Sequence, residues 1–261
     1  MPAHLSRSTF HLDRLRNGLK PFRLYWFPRL RSTNDHAATM RREGRLYAPA
    51  VVLTGRQTAG RGRGSNVWWS GDGSITVTFA FPIDEQIAPH QLPLIAGLAV
   101  RDAAAQLAGD NGIQLKWPND LLYSGRKLGG LLCERIQKAD LIGLGLNVNL
   151  IPSDAPKHLR DRITSLRSIT RREVDLNEAL IAIAAHLRLL LARSAERPFA
   201  ELLHQYDAHH ALIGKSVNVI IGNGEPPLSG ICEGLDEMGR LLLRSRGKLH
   251  HVIAGQVQEG Y

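Results

Sequence analysis

The chain has 261 residues, of which 43% are hydrophobic and 22% charged, a balance that indicates a folded globular protein and excludes disorder as its overall state. No apolar run approaches the roughly 18 residues that a membrane span needs, and the first residues lack the apolar core of a secretory signal. The formal net charge of +9 predicts attraction to anions, whether nucleic acid, nucleotide phosphates or an acidic protein. We therefore expect a soluble protein with no membrane contact.

The basic amino terminus and the two cysteines both bear on the cellular compartment. The first 31 residues contain seven basic residues (arginine or lysine) and one acidic residue, Asp13. An excess of basic over acidic residues is also typical of organelle transit peptides. Residues 10–19 predict an ordinary short helix as well, and we prefer that interpretation. The two cysteines, Cys133 and Cys232, lie far apart in the sequence, which favours neither a disulfide framework nor a metal-binding pair. A reducing, cytoplasmic setting fits best.

Periodicity and turn residues predict the first elements in chain order. A Ser-Thr-Asn start followed by helix formers predicts a helix that opens near Thr33. Two β-branched, partly alternating stretches predict strands at residues 50–57 and 74–81. They flank a glycine-rich loop, residues 59–73, which is long enough to be functional or mobile. Apolar residues at helical spacing predict a helix at residues 91–107 that packs across a sheet.

Short apolar runs bounded by turn residues predict adjacent buried strands in the middle of the chain. These runs are IQLKW, KLGGLLCE and LIGLGLNVNL. A strongly apolar helix is predicted at residues 177–193 and a second helix at residues 198–209. The chain then changes to short strands separated by GNGEPP, DEMG and RGK, which are turn sequences and suggest a small barrel. A domain boundary is therefore predicted near Leu212.

The loop sequence AGRGRGS is suited to binding phosphate. Its three glycines, at positions 60, 62 and 64, let backbone N–H groups approach an anion closely, and Arg61 and Arg63 can neutralise its charge. Such loops also occur as solvated turns or as nucleic-acid contacts, so this motif alone leaves both alternatives open. The chain contains no GxxxxGK[ST] run, which excludes a Walker P-loop.

The sequence KWPND predicts a polar turn just beyond a buried strand. Its proline fixes the turn and places Asn119 and Asp120 where a carboxylate can hold Mg²⁺ or orient an amine. The alternative is a capped Asn-Asp turn that leaves Lys116 in solvent. Both interpretations place these residues at the end of a strand.

The sequence RKLGG brings a lysine into an apolar strand. Lys127 precedes Gly129 and Gly130, which leave open space beside the backbone for a ligand. A lysine at the mouth of such a slot can pair with a carboxylate and then with the phosphate that joins it, the charge that must be stabilised when ATP activates an acid. The alternative is a surface lysine that protects an edge strand from aggregation.

The sequence IGLGLNVN repeats the pattern of small residues in an apolar strand. Gly143 and Gly145 allow close approach, and Asn147 offers an amide to a sugar or a phosphate. A buried strand packed against a helix is an equally good explanation of this stretch on its own. The order and joint occurrence of STN, GRGR, KWPND, KLGG and GLGLNVN decide between the alternatives. With all five motifs in this order, the sequence from about Arg23 to its carboxyl terminus closely resembles the biotin protein ligases.

The resemblance implies an α+β fold in which a class II synthetase-like mixed β-sheet catalytic domain is followed by a small carboxyl-terminal SH3-like β-barrel. The implied units are an extension at residues 1–22, a catalytic domain at 23–211 and the barrel at 212–261. Members of this family make biotinyl-5′-AMP from biotin and MgATP. They then transfer biotin to one lysine of a biotin carboxyl carrier domain, by default the carrier subunit of acetyl-CoA carboxylase. The resemblance leaves a homodimer open.

Site residues follow from the resemblance position by position. The implied catalytic residues are Lys127, Arg63 and Asp120, with Asp120 also near the Mg²⁺. Biotin contacts are expected from Ser32, Thr33, Asn34, Gln57, Gly60, Arg61, Gly62, Arg63, Lys127, Gly130 and Gly143. Contacts with ATP or the adenylate are expected from Arg63, Trp68, Lys116, Asn119, Lys127 and Asn147.

This chain departs from the family pattern in two respects. Where many members read GRGRRGR followed by a basic residue and Trp, it reads GRGRGSNVWW, so two or three loop cations are missing. We expect the adenylate to be lost faster than from a fully basic loop. The sequence before Arg23 is also too short for the winged helix-turn-helix of the repressor members, so the resemblance is to the short form without that DNA-binding domain, and regulation of DNA is not expected.

Three other functions compete with this interpretation. A lipoate or octanoyl ligase shares the catalytic fold, but KWPND and GRGR with a carboxyl-terminal barrel belong together in the biotin branch. A nucleic-acid-binding protein would explain the charge and the Arg/Gly loop but not Lys127, the Gly-Gly pair or the buried GLG strand. A metal site would use Cys133 and the histidines, which lack metal-ligand spacing. These histidines are His204, His209, His210, His250 and His251.

Overall fold

The computed structural model describes residues 9–222 and 226–259, which form a seven-stranded sheet, a five-stranded sheet and a two-stranded ribbon. The strands are β1 (Arg23–Phe27), β2 (Ala50–Thr54), β3 (Gly60–Arg61), β4 (Val67–Trp68), β5 (Ser74–Pro82), β6 (Ile113–Lys116), β7 (Asp120–Tyr123), β8 (Arg126–Ile136), β9 (Ala139–Asn147), β10 (Ser216–Ile220), β11 (Leu228–Leu235), β12 (Leu241–Ser245), β13 (Lys248–Val252) and β14 (Gln256–Glu259).

Six helices accompany these strands, and polar side chains fix where several of them begin. The helices are α1 (Leu12–Gly18), α2 (Thr33–Arg42), α3 (Leu92–Ala108), α4 (Leu166–Thr170), α5 (Leu176–Glu196) and α6 (Leu203–Asp207). Ser32, Ser165 and Asp175 cap α2, α4 and α5 by accepting hydrogen bonds from backbone N–H groups of the first turn. Helix α3 ends at Gly109, which adopts the left-handed conformation typical of a helix terminus. No helix in the described part of the chain is long and apolar enough to cross a membrane.

The large sheet has the strand order β1-β2-β5-β9-β8-β7-β6. Strands β1 and β2 run parallel, and the other neighbours run antiparallel, so the sheet is mixed. All nine residues of its central strand β9 are buried. This strand carries the sequence GLG and therefore places its glycines in the middle of the sheet.

Alternate residues of β2 show that the sheet separates two apolar layers. Val51 and Leu53 belong to the main core with α1, α3 and α5, whereas Ala50 and Val52 pack with residues of α2. Because neighbouring side chains of a strand point to opposite faces, α2 lies on the face opposite α3 and α5. The face that carries α2 also carries the candidate site.

The five strands β10 to β14 form an antiparallel sheet in the order β13-β12-β11-β10-β14. The predicted fold class, a mixed-sheet catalytic domain followed by a small SH3-like domain, is confirmed. The fifth strand, β14, was not predicted, because it contains only one buried apolar side chain, Val257. Residues 223–225 of the predicted GNGEPP turn lie outside the described residues.

Two further elements differ from the prediction. The helix predicted at residues 198–209 is divided into a 3-10 turn, Phe199–Leu202, and the short helix α6. The buried residues Phe199 and Leu202 are three positions apart, which matches the 3-10 period. Residues 1–8 of the predicted extension lie outside the described residues. The rest of it includes Leu15, which is fully buried in the main core.

Candidate active site

A cavity of about 600 Å³ opens on the α2 face of the large sheet. Its walls come from the amino end of α2, the glycine-rich loop, β8, β9, the segment 159–163 and the carboxyl-terminal sheet. Among the predicted site residues, fourteen line it. They are Ser32, Thr33, Asn34, Gln57, Arg61, Gly62, Arg63, Trp68, Lys116, Asn119, Asp120, Lys127, Gly130 and Gly143. Motifs that lie over 100 residues apart in the sequence thus meet around one volume.

At the amino end of α2 the polar side chains bind one another. The Oε1 atom of Gln57 accepts hydrogen bonds from the backbone N–H of Thr33 at 2.7 Å and from its hydroxyl at 3.0 Å. The Ser32 hydroxyl accepts one from the backbone N–H of Asp35 at 3.3 Å. All three side chains are thereby held in one orientation before any ligand binds.

Asn34 is bonded on both sides of its amide group. Its Nδ2 donates to the Leu132 carbonyl at 3.0 Å and to Glu134 at 2.9 Å, and its Oδ1 accepts from the Thr78 hydroxyl at 2.7 Å. The amide lies against Gly143, where an added Cβ atom would come within 2.2 Å of Oδ1. Glycine at 143 is therefore required by the position of Asn34. Because both N–H donors are used, this side chain offers a ligand only the remaining lone pair of Oδ1.

The glycine-rich loop folds back on itself as a short ribbon. Strands β3 and β4 pair Gly60 with Trp68, and the N–H of Gly62 donates to the Asn66 carbonyl at 2.8 Å. Gly64, at the tip, has a φ of +63°, a conformation that suits glycine. Gly60 does not line the cavity. A Cβ atom there would lie 2.6 Å from the Trp68 carbonyl oxygen, so this glycine serves the approach of the two strands.

The two arginines of the loop are engaged in different ways. Arg61 forms ion pairs with Asp35 and Glu134. Burial opposes its charge, but the hydrogen bond and charge of Glu134 and the charge of Asp35 raise its pKa above the ordinary value. The Nη1 atom of Arg63 donates to the backbone carbonyl of Gly255 at 2.7 Å, and burial lowers its pKa. Arg63 thus connects the loop to the turn between β13 and β14.

Trp68 occupies the middle of the cavity wall. Its ring lies directly against Gly145, where an added Cβ atom would be 2.2 Å from Cε2. The Lys127 ammonium lies 6.0 Å from the ring centroid, within reach of a cation–π contact. The indole Nε1 is buried and has no hydrogen-bond partner among the described residues. A buried donor without a partner is available to a ligand.

Lys127 and Asp120 form an ion pair at the other end of the cavity. Their Nζ and Oδ1 atoms are 2.7 Å apart, with 37% and 25% of the two side chains exposed. An added Cβ atom at Gly130 would lie 3.1 Å from Oδ1 of Asp120 and 3.3 Å from Nζ of Lys127, so the pair packs over this glycine. The lysine therefore faces the cavity mouth and does not extend into open solvent.

The backbone around Lys127 is fixed by a segment that follows β9. The N–H of Lys127 donates to the Arg162 carbonyl at 2.8 Å, and the N–H of Thr164 donates to the Lys127 carbonyl at 2.9 Å. Asn119 has a similar local role, because its Nδ2 donates to the Leu131 carbonyl at 2.8 Å. The Lys116 and Arg162 side chains line the cavity without a hydrogen-bond or ion-pair partner in the described ranges.

Asn147, which was predicted to contact the nucleotide, lies outside the cavity lining. This residue is 3% exposed. Its Nδ2 donates to the Thr164 carbonyl at 3.0 Å, and its Oδ1 accepts from the Ser74 hydroxyl at 3.4 Å. Asn147 shares a face of β9 with Gly143 and Gly145, but the segment at Thr164 covers it. Its amide holds that segment on the sheet.

The sequence interpretation missed several cavity residues. Leu159, Arg162 and Ile163 come from the segment after β9, and the others lie at the end of β10, in the turn before β14 and in β14 itself. These others are Ile220, Ile221, Ala254, Gly255, Gln256 and Val257. The basic residues interspersed with Leu159 and Ile163 in KHLRDRI were a usable signal for the first group. The second group had none, because its contact with the loop spans 192 residues.

The acidic groups of the site restrict how a metal ion could bind. Within the described residues, no three His, Cys, Asp or Glu side chains are grouped so as to hold an ion. Among the described residues, Asp120 is the one carboxylate in the cavity lining, and it is paired with Lys127. Mg²⁺ in nucleotide sites is commonly held by one or two carboxylates with phosphate and water as its other ligands. This site accordingly fits a cation that arrives with phosphates.

Comparisons with known proteins find two family models that match this chain. The model described as the biotin/lipoate A/B protein ligase family matches residues 26–149. The model described as the biotin protein ligase C terminal domain matches residues 212–258. The two matched regions include all five motifs and the carboxyl-terminal sheet.

Individual relatives resemble the chain over most of its length. The biotin–[acetyl-CoA-carboxylase] ligase of Mycobacterium tuberculosis is 32% identical over 234 residues, which cover 87% of this chain and 85% of that protein. The bifunctional ligase/repressor of Bacillus subtilis is 30% identical over 222 residues, covering 80% of this chain and 66% of the relative. The structure of the Aquifex aeolicus biotin protein ligase in complex with biotin and ATP matches with a TM-score of 0.81 and 26% identity, over 91% of this chain and 99% of that one.

Proposed function

This chain belongs to the biotin protein ligase family, and from that premise we propose how its cavity carries out biotin activation and transfer. The enzyme activates biotin with MgATP to biotinyl-5′-AMP and transfers the biotinyl group to a lysine of an acceptor protein. The observation that carries the proposal is the Lys127–Asp120 pair at the mouth of a glycine-lined cavity that is closed by the loop of Arg61 and Arg63.

The first step joins a carboxylate to a phosphate. The biotin carboxylate attacks the α-phosphorus of ATP and pyrophosphate leaves, so negative charge spreads over the phosphate oxygens. Lys127 is placed to stabilise this charge and to hold the biotin carboxylate beside it. Arg63 adds a second cation if its guanidinium moves from the Gly255 carbonyl towards the phosphate. Lys116 and Arg162 line the same volume, have no side-chain partner in the part of the chain that the structure describes, and are available to the departing pyrophosphate.

The second step needs no nucleophile from this chain. The acceptor lysine attacks the acyl carbon of the adenylate and AMP departs, so the amide forms directly. Asp120 is placed to orient the incoming amine, because its carboxylate lies at the cavity mouth beside Lys127. The glycine-rich loop covers the adenylate and excludes water, whose attack would hydrolyse it.

Mg²⁺ enters this account as part of the substrate MgATP. The ion neutralises phosphate charge when it is bound, and Asp120 is the residue that would contact it. We propose that the acceptor is a biotin carboxyl carrier domain and that the enzyme works in the cytoplasm. The name of the Mycobacterium tuberculosis relative, a biotin–[acetyl-CoA-carboxylase] ligase, supports this acceptor class.

A lipoate substrate is the nearest alternative, because one family description includes lipoate ligases. The match of residues 212–258 to the carboxyl-terminal domain of biotin protein ligases favours biotin. Exchange of labelled pyrophosphate into ATP should depend on biotin and not on lipoate. Exchange with lipoate alone, or no exchange with either acid, would overturn the proposal.

A further inference from the structure

Glu134 connects two parts of the site although it does not line the cavity. It lies near the end of β8, and 28% of its side chain is exposed. One carboxylate oxygen, Oε1, accepts from Nη2 of Arg61 at 2.9 Å, and the other, Oε2, accepts from Nδ2 of Asn34 at 2.9 Å. One acid is thus shared between the glycine-rich loop and the amino end of α2.

The contact with Arg61 holds the base of the loop. Arg61 belongs to β3 and pairs with Val67 of β4, so its ion pairs attach the ribbon of β3 and β4 to the rest of the site. Asp35 provides a second carboxylate for the same guanidinium. Two acids on two different elements therefore hold the loop over the cavity.

The contact with Asn34 fixes one wall of the cavity. The N–H groups of the Asn34 amide donate hydrogen bonds to β8, and its oxygen accepts one from the Thr78 hydroxyl. The amide lies against Gly143. If Glu134 loses its acceptor atom, one N–H of this buried amide is left without a partner, which favours rotation of the side chain. Rotation would change the shape of the cavity at the residues proposed to bind biotin.

We propose that Glu134 is a positioning residue that sets the loop through Arg61 and the biotin end of the cavity through Asn34. This inference rests on the proposed function. It means that the loop and the biotin end are aligned by the same carboxylate, so a ligand that moves Asn34 also acts on the loop. Glu134 itself touches no substrate.

Two substitutions separate the two contacts of Glu134. Glu134→Gln keeps an oxygen that can accept from Asn34 but removes one of the two carboxylate charges that hold Arg61. Glu134→Ala removes both contacts. We expect Glu134→Gln to release preformed biotinyl-AMP roughly three- to ten-fold faster than the unmodified enzyme, with little change in KM for biotin. Glu134→Ala should release it as fast and also raise KM for biotin.

Limited trypsin digestion measures how accessible the loop is to cleavage, and it does not rely on enzyme activity. Cleavage after Arg61 and Arg63 should be several-fold faster in Glu134→Gln than in the unmodified protein, both without ligand and with biotin. Glu233→Gln is the matched control, because Glu233 forms an exposed ion pair with Arg244 in the carboxyl-terminal sheet. It should leave both the cleavage and the release rate unchanged.

A double-mutant cycle tests whether Glu134 acts through Arg61. Arg61→Gln and Glu134→Gln should each accelerate adenylate release, and the double variant should be no faster than the faster single variant. Additive effects, or release and cleavage rates in Glu134→Gln equal to those of Glu233→Gln, would overturn the inference. The proposed function fails independently, if the unmodified enzyme shows no biotin-dependent exchange between ATP and pyrophosphate.

Discussion

At the α2 end of the cavity the polar groups are already bonded to one another, whereas at the Lys127 end two cations have no partner among the described residues. The first end contains Ser32, Thr33, Asn34 and Gln57, whose hydrogen bonds are made within the protein. The second end contains Lys116 and Arg162, for which the described residues provide no hydrogen-bond or ion-pair partner. The two ends lie along β8 and β9, marked by Gly143 and Gly130.

This difference matches the two tasks of the enzyme. A neutral bicyclic ring is recognised by shape and by hydrogen bonds of fixed direction, which a rigid, internally bonded wall provides at low entropic cost. Phosphates change charge and position during the reaction, and flexible cations with free donors can follow them. The α2 end should therefore respond sharply to small changes in packing, and the Lys127 end should respond to loss of charge.

Gly143→Ala should produce the largest effect at the α2 end. The new methyl group would lie 2.2 Å from Oδ1 of Asn34, so the amide must move and lose bonds to Thr78 and β8. We expect biotin affinity to fall by roughly 30-fold, equivalent to about 2 kcal/mol. Titration calorimetry with biotin measures this directly. Unchanged affinity would show that the α2 end is not rigid.

Gly130→Ala is the matched change at the Lys127 end and should do less. Its methyl group would meet the mobile ends of Asp120 and Lys127 at 3.1 Å and 3.3 Å, and these atoms can move by a few tenths of an ångström. We expect a loss of less than about five-fold in exchange rate and in biotin affinity. If Gly130→Ala were as damaging as Gly143→Ala, the contrast between the two ends would be wrong.

Trp68→Phe tests whether the indole N–H in the cavity wall binds a ligand. The smaller ring keeps an aromatic face against Gly145 but removes the buried indole donor that has no partner among the described residues. If a ligand oxygen accepts from this donor, the variant should lose about three- to ten-fold in adenylate retention, the effect of one neutral hydrogen bond. Retention equal to that of the unmodified enzyme would show that Nε1 has no ligand partner.

Strand β6, which leads to Lys116 at the Lys127 end, should lose stability first at acid pH. Leu115 of β6 pairs with the segment of His210, which is buried and has a pKa lowered by burial to about 4. Because the unfolded chain protonates near pH 6.5, stability is complete above that pH and is lost as pH falls towards 4. Asp207 lies 3.8 Å from His210, and burial raises its pKa, so its protonation partly offsets the loss.

The size of this acid effect can be measured by chemical denaturation. We expect the free energy of unfolding to fall by about 1–2 kcal/mol between pH 7 and pH 5, with faster hydrogen exchange at Leu115 than at the amino end of α2. His210→Gln should make the dependence shallower. An equal slope in the variant would exclude His210 as its origin.

The sequence predicted those parts of the site that depend on local pattern. The cap at Ser32, the strands around GLG and the lysine at a glycine-lined opening all follow from neighbouring residues. The pairing of Arg63 with Gly255 could not be predicted, because it depends on how two domains pack. The hydrogen bonds of Asn147 could not be predicted either. Its motif suggested a ligand contact, but the segment at Thr164 covers it and uses its amide.

The central claim is that Lys127 acts on the phosphate while the α2 end binds biotin, and one variant measures both. Lys127→Ala should reduce biotin-dependent exchange between ATP and pyrophosphate by at least 100-fold, or about 3 kcal/mol, while biotin affinity falls by less than about ten-fold. Lys157→Ala, which removes an exposed lysine outside the cavity, is the control. Near-normal exchange by folded Lys127→Ala protein would contradict the account.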